Sequence, residues 1–158
     1  MSTVNIPAFH VSDASKLEGG GDVFIQSRKD AASSGIFTIK IAAHFDPAAD
    51  DYPAGSIYIK TDMSDSAKGV FTATSVELIN SYGKHNPTVY LTGRCKTEQS
   101  PTGAAVLKGL RYWIMIADNQ RDNNGTPDIV GFAIHDRNGN RIAYGTGPLK
   151  GNITVAPK

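Results

Sequence analysis

Cysteine, net charge and long apolar runs are all scarce in this sequence. One Cys in 158 residues excludes an internal disulfide framework and a zinc site built from four thiolates. A formal net charge of +1 gives no reason to expect nucleic acid as a partner. No window approaches the roughly 20 apolar residues of a membrane span. The N-terminus also lacks the basic region and apolar run of a signal peptide.

The remaining composition is that of a folded domain. Apolar residues make up 40% of the chain and charged residues 20%, which are ordinary values for a globular protein. The length predicts one domain with its own core. Sixteen Gly and eight Pro favour many turns, and therefore many short elements.

Apolar residues alternate with other residues along most of the chain, which is the pattern of half-buried strands. The alternating runs begin near Asp22, Phe37, Ile57, Val70, Val89, Leu110, Val130, Ile142 and Ile153. Turn signals separate them, and Asn138-Gly139 is a strong hairpin signal. Residues 75–82 fit either a strand or a short helix. The sequence predicts an all-β fold, a single antiparallel β-barrel or β-sandwich of about eight to nine strands.

The N-terminal residues have scattered apolar side chains and end in Gly19-Gly20-Gly21. We therefore expect residues 1–21 to form a flexible arm and residues 22–158 to form the single all-β domain. The arm is either a frayed terminus or a segment that pairs with a neighbouring molecule.

Charge is unevenly divided along the chain. Residues 1–80 contain six Lys or Arg and ten Asp or Glu, whereas residues 81–158 contain ten and five. The strands either mix these charges over one surface, or present acidic and basic faces that favour a head-to-tail contact.

One segment is dense in short oxygen-bearing side chains, which suit a hard cation such as calcium. Its candidate ligands are Asp118, Asp122, Asn124 and Asp128. The register of an EF-hand fails there, because Asn123 and Ile129 stand where Gly and Glu belong. The alternative is a long hairpin loop whose Asn and Asp side chains bond their own backbone. No other cofactor is predicted.

No catalytic residues can be assigned from the sequence. Cys95 lies in an expected strand without a nearby base, which predicts a buried, inert thiol. If the fold is a hollow barrel, a group of polar and aromatic residues is expected to line its mouth and bind a small ligand. These are Arg111, Tyr112, Trp113, His135 and Tyr144.

Several turn motifs resemble those of one known type of β-domain. The motifs are Gly19-Gly20-Gly21, Gly35 to Ile39, Ala54 to Tyr58, Leu91 to Cys95, Asp118-Asn119, Gly125-Thr126-Pro127-Asp128 and Lys150 to Ile153. Together they resemble the post-COAP type of β-domain over most of the chain. The resemblance implies a module of exported or surface bacterial proteins, without an established activity.

These observations favour a non-enzymatic β-module for binding or assembly, with protein partners or self-association. An extracellular or cell-surface location is expected from the resemblance, in preference to a cytoplasmic one. Two alternatives remain at this point. One is a small-ligand-binding β-barrel, either a carrier or a cyclase-like enzyme, and the other is a structural component of a larger particle.

Overall fold

A computed structural model describes residues 15–25, 34–46, 48–64, 68–82, 88–98, 107–119 and 126–157. Within these ranges the chain is all-β and contains no helix. It follows that none of the described residues belongs to a helix able to cross a membrane. In chain order the strands are β1 (Ser15–Ile25), β2 (Gly35–Phe45), β3 (Ala54–Met63), β4 (Gly69–Ala73), β5 (Leu78–Tyr82), β6 (Thr88–Thr97), β7 (Leu110–Ala117), β8 (Ile129–His135) and β9 (Arg141–Pro157).

Eight of the strands close into an antiparallel barrel, and β5 lies outside the ring. The strand order is β4-β3-β2-β1-β9-β8-β7-β6-β5, and a pairing between β4 and β6 closes the ring. Closure satisfies the hydrogen-bonding groups that open sheet edges would expose. The predicted all-β fold is confirmed, and of its two expected architectures the barrel is the one present.

The barrel interior is filled by side chains. Alternation sends every second residue of each strand inward, and an eight-stranded ring is just wide enough for such side chains to fill it. Across the middle, the rings of Phe37 and Phe132 meet edge to face with centroids 4.7 Å apart. The largest fully buried side chains are Tyr112, Phe37, Leu17, Ile39, Ile59, Met63, Ile79, Leu91, Leu110, Ile116, Ile134 and Ile153.

The expected boundary of the N-terminal arm differs from the structure. Strand β1 begins at Ser15 and pairs with both β2 and β9, so residues 15–21 belong to the barrel. Glycine is needed there for close packing and not for flexibility, because a Cβ on Gly21 would lie 2.3 Å from the backbone oxygen of Lys150. The first fourteen residues lie outside the described ranges.

Residues 74–77 interrupt what the sequence suggests is one long strand. Strand β4 ends at Ala73 and β5 starts at Leu78, so the short helix considered for residues 75–82 is wrong. The interruption is held at Ser75, whose backbone oxygen accepts the Tyr112 hydroxyl at 2.7 Å. Gly93 makes this approach possible, since a Cβ there would lie 2.1 Å from the same oxygen.

The hairpin expected at Asn138-Gly139 is present between β8 and β9. Its loop is organised by Asp136, whose Oδ1 accepts the backbone N–H groups of Asn138 and Asn140, both at 2.9 Å. These hydrogen bonds, led by that from Asn140, lower the pKa of Asp136. Gly139 supplies the positive φ of 83° that the loop requires.

Candidate functional site

Two of the four residues predicted to bind calcium are described, and both contact the backbone of β9. Strand β9 pairs with β8 only up to Pro148, and its second half continues beside β1. Asp128 Oδ2 accepts the backbone N–H of Ile153 at 2.9 Å, and Asp118 Oδ2 accepts that of Val155 at 3.0 Å. The two carboxylates therefore satisfy donors that lie beyond the end of β8.

The second oxygen of Asp128 closes the base of the loop that precedes β8. Its Oδ1 accepts the backbone N–H of Asn119 at 2.9 Å, and the Asn119 amide donates to the Pro127 carbonyl at 3.1 Å. Asp122 and Asn124 lie outside the described residues. Within the described part of the chain, no three His, Cys, Asp or Glu side chains gather as metal ligands. The calcium site stays a prediction, and the observed role of Asp118 and Asp128 is structural.

The five residues predicted at a barrel mouth divide between the two faces of the wall: Tyr112 faces the core, and the other four lie near one another on the outer face, where the register aligns Arg111 with His135. Tyr112 points inward and is 1% exposed, with its hydroxyl bound to Ser75 as described. Burial is the largest cause that raises its pKa, and the Arg111 guanidinium opposes this effect. A buried, hydrogen-bonded tyrosine of this kind anchors the barrel wall and is not available to a ligand.

The other four residues lie away from the core. Arg111 donates to Glu77 at 2.7 Å and to the Thr92 hydroxyl at 3.3 Å, which links β7 to the segment before β5. The guanidinium of Arg141 stacks on the Tyr144 ring at 3.8 Å. The Nδ1 atom of His135 is buried without a hydrogen-bond partner among the described residues.

Trp113 leads to a site that the sequence did not reveal. It is 50% exposed and lies on the outer side of the barrel wall. It borders a groove of about 350 Å³, here called the outer groove. Besides the backbone of the wall, the groove is lined by Leu78, Tyr90, Trp113, Met115, Gly131, Ala133 and Thr146. Its lining is therefore mostly apolar, although it faces solvent.

The floor of the outer groove lies below the surrounding side chains because small residues form it. In the register of the sheet, Trp113 pairs with Ala133, and Met115 pairs with Gly131. A Cβ on Gly131 would point toward the Thr146 side chain, 2.9 Å from its hydroxyl oxygen. Large side chains at Trp113 and Tyr90 thus stand beside a shallow floor, which gives the wall its concave surface.

Basic side chains border the outer groove on one side. Arg111 lies two residues before Trp113 in β7, on the same face of the strand. The register places Arg94 of β6 on one side of Arg111 and His135 of β8 on the other. His135 aligns in turn with Arg141. We call Arg94, Arg111 and Arg141 the arginine row. The site therefore combines an aromatic, apolar surface with positive charge at its border.

Two further depressions lie outside the outer groove. One of about 860 Å³ extends over β1–β4, where the Thr38 hydroxyl donates to Asp22 at 2.6 Å and Lys40 lies 5.7 Å from the Tyr58 ring. The other, of about 560 Å³, lies between residues 52–55 and residues 74–77. Neither collects several exposed large apolar side chains, so the outer groove is the better candidate.

Cys95 is buried in β6, facing the core. Burial raises the pKa of its thiol to about 12, which leaves almost no thiolate at neutral pH. This placement agrees with the predicted inert thiol and provides no nucleophile.

Sequence reasoning missed the outer groove because its residues come from five separate strands, β5, β6, β7, β8 and β9. Alternation alone assigns Trp113 and Met115 to the face opposite Tyr112. Which residues of other strands stand beside them depends on register, which the sequence pattern does not determine. The chain has no significant match to any protein-family model, to any curated protein or to any solved structure.

Proposed function

We propose that this protein is a non-enzymatic β-barrel module for assembly, and that its copies contact one another through the outer groove. The observation that carries the proposal is the grouping of Leu78, Tyr90 and Trp113, each between 42% and 50% exposed, around one apolar depression. Clustered exposed aromatic and aliphatic side chains are characteristic of protein contact surfaces.

Because the barrel interior is packed with side chains, the outer wall is the surface on which binding is expected. A carrier would hold its ligand in the lumen, but the Phe37 and Phe132 rings meet there and large side chains fill the rest. The small-ligand barrel therefore gains no support from a specific observation. A role as a structural component of a larger particle is compatible with self-assembly.

Charge supports a second copy as the partner. The acidic first half of the sequence supplies β1–β4, and the basic second half supplies β6–β9. Strands β6–β9 carry five Lys or Arg and no Asp or Glu, whereas β1–β4 carry three of each, so the acidic excess of the first half lies outside its strands, with three Asp in residues 46–53. On the basic wall, Asp118 and Asp128 are buried, which removes their carboxylates from the surface. Opposite charge on two surfaces of the same chain favours contact between copies.

The location stays a prediction. An exported or surface-associated module was expected from the resemblance to post-COAP type domains, and a groove for assembly fits such a setting. The proposed contact does not depend on the compartment, because it uses only residues of the barrel wall.

Sedimentation velocity over a range of protein concentrations tests the proposal. We expect reversible self-association of the wild-type chain, weakened at least tenfold by Trp113→Ala, since anchors of this type dominate small interfaces. Phe24→Ala is the matched control, because Phe24 is 63% exposed on β1, which is not part of the outer groove.

The result that overturns the proposal is a wild-type chain that stays monomeric at millimolar concentration. Self-association that Trp113→Ala leaves unchanged would equally overturn the outer groove as the contact. Circular dichroism of each variant shows whether the barrel is retained.

A further inference from the structure

We infer that the outer groove receives the loop between β2 and β3 of a second copy, with the Tyr52 side chain inserted against Trp113. We call residues 46 and 48–53 the acidic loop. This inference rests on the proposed function and adds the identity of the inserted segment, which the assembly proposal alone leaves open.

Tyr52 has the exposure expected of an inserted anchor. It is 80% exposed, the highest value among the large hydrophobic side chains of the described residues. Tyrosine presents a rigid aromatic surface with two side-chain torsions and is enriched at the energetic centres of interfaces. One such ring suits a depression of about 350 Å³ whose walls are Trp113, Tyr90 and Leu78.

Internal hydrogen bonds hold the part of the acidic loop that precedes Asp51. The backbone N–H groups of Ala49 and Asp50 donate to the Asp46 carbonyl at 3.0 and 2.7 Å. The Asp46 carboxylate accepts the N–H of Ala48 at 3.0 Å, and Asp50 Oδ2 accepts the N–H of Asp46 at 2.9 Å. A preorganised loop loses little conformational entropy on binding.

Charge complements the aromatic fit. Residues 46–53 contain three Asp and no Lys or Arg, and Asp51 adjoins Tyr52 directly. The outer groove is bordered by the arginine row, in which Arg111 is already paired with Glu77 and the other two guanidinium groups supply the charge for the loop. Insertion of Tyr52 therefore brings carboxylates toward guanidinium groups. This attraction steers the loop to the outer groove and disfavours binding of the loop to an acidic surface.

Two variants that each lack one half of the contact provide the test. Tyr52→Ala removes the inserted ring and keeps the outer groove. Trp113→Ala weakens the outer groove, keeps Tyr52, and contains no tryptophan, because Trp113 is the single Trp of the chain. We expect each variant alone to associate at least tenfold more weakly than wild type.

Mixing the two variants restores one intact contact. In the mixture all tryptophan emission comes from the intact groove of Tyr52→Ala. Titration with Trp113→Ala is therefore expected to shift that emission to shorter wavelength and to give a one-to-one complex by sedimentation. Phe24→Ala in place of Tyr52→Ala is the control for loss of an exposed aromatic side chain.

Each outcome is decisive. If Tyr52→Ala associates as wild type does while Trp113→Ala does not, the proposed function stands and this inference fails. An absence of complex and of emission shift in the mixture also overturns the inference. If wild type does not associate at all, the proposed function fails first.

Salt provides a second measurement that needs no variant. Raising sodium chloride from about 0.05 M to about 0.5 M shortens the screening length severalfold. We expect this to weaken wild-type association at least threefold. An unchanged or tighter association would contradict pairing between the acidic loop and the arginine row.

Discussion

Tyr112 and Trp113 are adjacent in β7, yet they belong to two different regions of the barrel. Tyr112 faces the core, where it is 1% exposed and bound to Ser75, whereas Trp113 is 50% exposed on the outer wall. The inner face of the strand is fixed by contacts within the chain. The outer face presents an apolar surface that the described part of the chain leaves half exposed. Buried contacts within the chain are therefore concentrated on one face of the wall, and the other face is the one that we propose for assembly.

The largest effect expected for the inner face is the slow chemical modification of the Cys95 thiol. With a thiol pKa raised from 9.0 to about 12, the thiolate population at pH 8 is lower by a factor of about a thousand than that of an ordinary cysteine. We therefore expect an aromatic disulfide reagent to modify the folded chain at least a thousandfold more slowly than Phe24→Cys, in which the added thiol is on the outer face.

The same shift sets a pH dependence. Above pH 9 the unfolded chain loses the thiol proton and the folded chain retains it, so stability falls as pH rises from about 9 to about 12. Comparison of wild type with Cys95→Ser by urea unfolding isolates this contribution. Rapid modification of the native thiol at pH 8 would show that the inner face opens readily.

Asp128→Asn is expected to have the largest effect on the free energy of unfolding. Both carboxylate oxygens accept backbone N–H groups, from Asn119 and Ile153, and the amide nitrogen of Asn cannot accept either one. Leaving a buried donor unpaired in this way costs about 3 kcal/mol. Urea unfolding of both proteins with a chelator present measures the loss.

Asp62→Asn is the control for Asp128→Asn, because the side chain of Asp62 is 66% exposed and its ion pair with Lys68 spans 3.3 Å. Its expected effect is below about 0.5 kcal/mol. Equal losses in the two variants would contradict the structural role of Asp128. In the same series, a melting temperature of wild type that rises with calcium would support the predicted cation site.

Sequence patterning predicts the inner face better than the outer one. Alternation identifies Tyr112, Ile114 and Ile116 as one face of a strand, and eight or nine strands separated by turns predict an antiparallel barrel or sandwich. The role of Asp128 could not be predicted from pattern, since it depends on β9 extending past the end of β8. The outer groove depends on the register between five strands, which the pattern within a single strand does not contain.

A smaller loss on the inner face is expected for Tyr112→Phe. The substitution keeps the ring and removes the hydroxyl that donates to the Ser75 carbonyl at 2.7 Å. A single buried hydrogen bond of this kind contributes about 1 kcal/mol. Urea unfolding measures the change, and Tyr58→Phe, in which the ring stays on the outer wall beside Lys40, is the matched control. A neutral Tyr112→Phe would mean that residues 74–77 are held without this hydrogen bond.

Trp113→Ala is expected to have the smallest effect on the folding of the monomer and so sharpens the contrast between the two faces. Half of the side chain is already in water, and the groove floor beside it is formed by small residues, so its removal opens no enclosed cavity. The free energy of unfolding at low protein concentration should change by less than about 0.5 kcal/mol, while self-association weakens at least tenfold. Because self-association stabilises the folded state by mass action, the melting temperature should rise with concentration more for the wild type than for Trp113→Ala. If the Trp113→Ala monomer were destabilised as strongly as Asp128→Asn, Trp113 would contribute to the stability of the fold as a buried residue does. The two faces of the wall would then not differ in the way described.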